Sequence, residues 1–118
     1  MATYSRLLLS GSTSGQPIKV AATSSPGTTI HTAVAGATSF DEIYLWVTNT
    51  DTVARTITIQ WGGTTDPDNS ITKAYSITAS SPPALIVPGL VLNGGLIVKV
   101  FASAANVILV SGYVNQIS

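Results

Sequence analysis

Few side chains in this sequence are of kinds that do chemistry. There is one imidazole, His31, no cysteine, and five Asp and Glu residues in all. A histidine works as a general base only beside a group that orients it and a substrate within reach. In Thr29-Ile30-His31-Thr32 the imidazole alternates with apolar Ile30, which predicts an outer or edge position on a strand and a structural or surface role. The missing cysteines exclude disulfides, thiolate metal sites and thiol nucleophiles together, and one histidine alone argues against zinc or copper. Asp41 and Glu42 are adjacent, so on a strand they point to opposite faces and cannot share a proton or a water.

The loop Asp66-Pro67-Asp68-Asn69-Ser70 spaces oxygen ligands as an EF-hand begins. Ile71 then stands where that loop needs glycine, and Ile77 where it needs a bidentate Glu, so an EF-hand is excluded. Gly62-Gly63-Thr64-Thr65 and Asn93-Gly94-Gly95 lack the Lys-Ser/Thr of a phosphate loop, and no Gly-x-Ser-x-Gly elbow occurs. The prediction is no catalytic residue, no cofactor site and no metal site. Two features remain as candidates for binding. Trp61, ahead of Gly62-Gly63 at a strand end, is the best candidate for stacking on a sugar, although Trp46 and Trp61 both sit in apolar strand patterns that favour a core role. Leu7, Leu8 and Leu9, next to the flexible Gly11 to Gly15, could form an arm that adds a strand to a neighbour, against the simpler reading of a first strand in its own sheet. Arg6, Asp66 and Asp68 are candidate surface contacts.

The elements that would position these residues are strands. Thr56 to Trp61 alternates, with Ile57, Ile59 and Trp61 on one side and Thr56, Thr58 and Gln60 on the other. Ile43 to Val47 is apolar on both sides, as a strand covered on both faces is. Between them Asn49-Thr50-Asp51-Thr52 carries turn chemistry, which predicts a β-hairpin over Phe40 to Gly63 at the centre of the chain. Further strands are expected at 5–11, 16–23, 28–34, 71–79, 84–87, 96–102 and 106–114, with Pro88-Gly89 ending one of them and Asn93-Gly94 a type I′ hairpin turn. About eight or nine short strands with no helical period predict an all-β fold, a single-domain antiparallel β-sandwich or jelly roll over 1–118 with an extended N-terminal segment 1–15.

Composition narrows the function classes. Charged residues make up 8% of the chain, against roughly 25% in ordinary globular domains, and the formal net charge is zero. A surface so poor in charge suits a protein partly covered in an assembly. Arg6, Lys19, Arg55, Lys73 and Lys99 are scattered singly, so nucleic acid is not an expected partner. No apolar run approaches the ~20 residues of a membrane span, and Leu7 to Leu9 is too short for a signal-peptide core, which predicts synthesis in the cytoplasm without a cleaved leader.

Three stretches together resemble small virion proteins of tailed bacteriophages: MATYSRLLLSGS at the start, QPIKVAATSSPGTTIHTA, and the closing GLIVKVFASAANVILVSGYVNQIS. The last is similar to the final hairpin of phage jelly-roll or sandwich modules, where a Gly-Tyr-Val tail, here Gly112-Tyr113-Val114, closes the sheet. The resemblance implies a non-enzymatic structural protein of the virion. Within it the favoured role is a capsid decoration (cement) protein that binds the major capsid protein on the shell surface as a homo-oligomer, commonly a trimer. A tail, neck or fibre component is the neighbouring reading, and a carbohydrate-binding β-sandwich module using Trp61 is the alternative from another class. No individual residue takes a role from the resemblance.

Overall fold

The computed structural model describes residues 3–118. Met1 and Ala2, the start of the expected N-terminal segment 1–15, lie outside the described residues. The strands are β1 (Tyr4–Leu8), β2 (Ile18–Lys19), β3 (Thr28–Thr32), β4 (Phe40–Asn49), β5 (Arg55–Trp61), β6 (Ser70–Ile77), β7 (Ala84–Leu92), β8 (Ile97–Ala102) and β9 (Ile108–Ile117). They form two antiparallel sheets. One runs β1-β9-β4-β7, with β2 also on β9, and the other runs β3-β8-β5-β6.

Period-two patterning builds the space between them. On β4 the residues Asp41, Ile43, Leu45, Val47 and Asn49 are buried while those between them are half-buried, and β8 buries Val98, Val100 and Ala102 in the same way. Ile30, Ile57, Ile59, Ile108, Val110 and Val114 join the apolar members of these two strands in one cluster. The fold is an all-β sandwich.

Pairing is nested. β5 pairs with β6, β4 with β7, β3 with β8, and β1 and β2 with β9, each pair enclosing the one before. Apart from β1 to β2 and β5 to β6, every step along the chain crosses from one sheet to the other. That winding is a jelly roll.

The predicted central hairpin is therefore absent. β4 and β5 lie in different sheets, and both edges of β4 are taken, by β7 and β9. Its turn residues do other work: the buried Asn49 side chain donates to the carbonyls of Val53 and Ile77 and accepts from the Asp51 amide, which ties the crossing in place. Asn93-Gly94-Gly95 likewise links two sheets, its amides donating to Gly36 and Val34. The closing segment is no hairpin either, since β8 and β9 lie in different sheets. In β9, a Cβ on Gly112 would collide with the Tyr44 carbonyl oxygen, so glycine there permits the close approach of β9 to β4. The expected short strand at 84–87 runs on to Leu92, because Pro88 sits on a sheet edge where no ladder bond is needed and Gly89 takes a positive φ of 97°.

Candidate functional site

His31 is buried, which corrects its predicted surface position. A register shift between Thr29 and His31 turns both Ile30 and His31 inward, where simple alternation would bury only one. The imidazole Nδ1 accepts the Ser10 amide at 3.0 Å, so Nε2 carries the proton and donates to Asp41 Oδ2 at 2.7 Å. Asp41 also accepts from the Val34 amide at 3.2 Å and the Gln116 side chain at 3.1 Å. This pairing supplies His31 with the partner that a hydrolase would require. However, Ser10 meets the ring through its backbone, its hydroxyl accepts the Thr32 amide at 2.7 Å, and His31 and Asp41 are 3% and 1% exposed. The arrangement pins the β1–β2 connection to β3, β4 and β9, and offers no substrate a path to the imidazole.

The other polar and aromatic concentration is on the outer face of the β9 sheet. Register places Tyr44 and Trp46 of β4 beside Tyr113 and Ser111 of β9, with Arg6 and Leu8 of β1 on the same face and Leu85 and Val91 of β7 at its far side. Tyr113 stacks on Tyr44 with centroids 4.9 Å apart and on Trp46 at 5.9 Å, and the Arg6 guanidinium lies 4.7 Å from the Tyr113 ring centre. Glu42 accepts the Tyr44 hydroxyl at 2.9 Å and the Asn115 amide at 3.4 Å. That hydrogen bond, with some loss of hydration, raises the Tyr44 phenol above its usual range. Trp46 is thus half-buried on an outer face, and Ile43 to Val47 is not covered on both sides as its sequence predicts. The rings cover one another in place of a second layer.

Trp61 packs against the rim of the core, and its indole N–H donates to the Val91 carbonyl at 3.3 Å, bridging the two sheets. Beside it, Gly62, Gly63, Thr64, Gly95, Leu96, Ile97 and Lys99 line an open groove of about 220 Å³. Leu7 and Leu8 lie in β1, paired with Val114 and Tyr113 of the chain's own sheet, while Leu9 is in the core. Asp66 pairs with Lys73 at 3.0 Å. Among the described residues no group of three or more His, Cys, Asp or Glu side chains comes together.

The outer aromatic face is the molecule's candidate interaction site. Trp46 and Tyr113 stand out in the sequence, but nothing there brings them together with Tyr44, because β4 and β9 are far apart in the chain. Asp41 carried a usable signal: it shares the parity of Ile43, Leu45 and Val47, so a core face implies a buried carboxylate in need of donors. No family model, no curated protein and no solved structure matches this chain.

Proposed function

We propose that this chain is a non-enzymatic structural protein of a tailed-phage virion, a capsid decoration protein that binds the major capsid protein as a homo-oligomer. The observation that carries the reading is the outer face of the β9 sheet, where Leu8, Leu85 and Val91 are 58%, 48% and 52% exposed around the stacked rings. Apolar surface gathered on one face suits burial against protein. The near absence of charge suits it too, since an assembly covers surface that a free monomer would keep charged. Jelly rolls recur in viral shells and in lectins, which is an analogy of fold alone. A cement protein acts by mass action: each bound copy adds contact that must break before shell subunits part.

Quantitative mass spectrometry of purified particles, against the shell subunit, tests this. A copy number comparable to the shell subunit supports decoration. A much smaller number moves the chain to the neck, tail or fibres. Its absence from particles sinks the virion reading and turns attention to sugar binding at Trp61.

A further inference from the structure

A bare sheet edge is a template for another strand, and folded proteins usually disable it. Three edges of this sandwich are disabled. β7 is interrupted by Pro88 and Gly89 and by two register shifts. β6 carries Ala74 at a φ of 49° and two shifts of its own. β3 is bulged at His31 and covered, since Gly11 donates to the Ile30 carbonyl and Ser10 accepts the Thr32 amide. β1 has none of these devices. Its residues run in unbroken register with β9, and all of them are exposed. Its one charge, Arg6, is turned onto the Tyr113 ring and so does not guard the edge.

We propose that β1 pairs antiparallel with β1 of a second copy across a two-fold axis at Ser5. The backbone sets which groups are free. Thr3 and Ser118 exchange both of their hydrogen bonds, at 2.7 and 2.9 Å. Alternation then directs the amides and carbonyls of Ser5 and Leu7 to β9, and those of Tyr4, Arg6 and Leu8 to the open edge. A two-fold normal to the sheet keeps each side chain on its own face, so the axis must pass through a residue. An axis at Arg6 sets like charges opposite each other, which is unfavourable. An axis at Leu7 sets Tyr4 against Ser10, whose amide and hydroxyl are already bonded to His31 and Thr32. An axis at Ser5 sets Tyr4 against Arg6. Their outward backbone groups then exchange hydrogen bonds, and each guanidinium lies beside a phenol ring that is 71% exposed in the single chain. The pairing joins the two β9 sheets, and their outer aromatic faces become one surface. It does not depend on the virion reading.

Because the sequence has no cysteine, single substitutions report the register directly. Facing residues in a non-hydrogen-bonded antiparallel pair have Cα atoms about 4.5 Å apart, within disulfide range. Under mild oxidation Ser5→Cys is expected to give a covalent dimer, and Arg6→Cys and Leu7→Cys are not. The unmodified chain is expected to sediment as a dimer. Arg6→Pro deletes the outward N–H but leaves the β9 ladder intact, and is expected to sediment as a monomer that still melts cooperatively. A monomeric or trimeric parent, a folded Arg6→Pro that stays dimeric, or cross-linking through Arg6→Cys or Leu7→Cys in place of Ser5→Cys would each overturn the proposal. Should Arg6→Pro fail to fold, the cysteine series decides alone.

Discussion

The two faces of β4 are built from alternate residues of one strand and obey different rules. The inner set, Asp41 to Asn49 by twos, is 0–1% exposed, and its polar members at either end have their hydrogen bonds met by His31, Val34, Gln116, Val53 and Ile77. The outer set, Glu42, Tyr44 and Trp46, is half-buried and finds its partners within its own layer, ring on ring and carboxylate on phenol. Completeness of burial makes the difference. On the inner face a polar group without a partner costs its full desolvation, and both Asp41 and Asn49 are matched. Outside, water remains a partner for polar groups, and the face can stay apolar enough to meet another protein.

Substitutions on either side of β4 should separate the two faces. The largest loss is expected from Asp41→Ala, which leaves the Nε2 proton of His31, the Val34 amide and the Gln116 side chain without their acceptor; each buried donor left unpaired costs about 1–3 kcal/mol. Glu42→Ala, one residue on, should cost less than about 1 kcal/mol, in line with surface positions. Urea denaturation of both variants measures the gap, and equal losses would abolish the distinction. Trp61→Ala belongs between them. Full burial of the ring would cost about 3–5 kcal/mol on truncation, but Trp61 is half-buried at the rim, and about 2 kcal/mol is expected from its lost packing. An unchanged melting curve would mean the ring does not bridge the sheets.

Tyr113→Ala removes the central ring of the outer stack. It should cost about 1–2 kcal/mol, since each aromatic pair adds about 0.5–1.5 kcal/mol beyond area, and it should weaken the near-ultraviolet circular dichroism while leaving the sheet signal. A loss as large as that of Asp41→Ala would place the ring in a core. The smallest effect concerns Tyr44. Its raised phenol favours the neutral form in the folded state, so its contribution to stability is complete below the ordinary phenol range. The contribution fades as pH rises through the folded value. Glu42→Gln should bring the phenol back toward that range, read as an earlier step in the alkaline absorbance titration; no change would mean the Glu42 carboxylate does not hold the proton.

Fold class was legible from residue pattern because alternation depends only on neighbours. Thr56 to Trp61 shows it directly, whereas Ile43 to Val47 reads as apolar on both sides and only the structure shows that burial along β4 alternates residue by residue. Turn chemistry was legible too, at Asn49 to Thr52 and Asn93 to Gly95, but its meaning was not. A turn residue reports that the chain changes direction locally. Whether the next strand joins the same sheet depends on which distant edges are already taken, and β9 and β7 had claimed both sides of β4.

The sites divide along the same line. The sequence by itself determined that strands would alternate, that charge would be scarce, and that Asp41 and Glu42 would part to opposite faces. Only the tertiary structure decided that His31 turns inward through a one-residue bulge to meet Asp41, and that Tyr44, Trp46, Tyr113 and Arg6 gather on one outer face. Period and composition are properties of short stretches, set by local sterics and solvent. The pairing of residues remote in the chain is set by the nested winding of the two sheets.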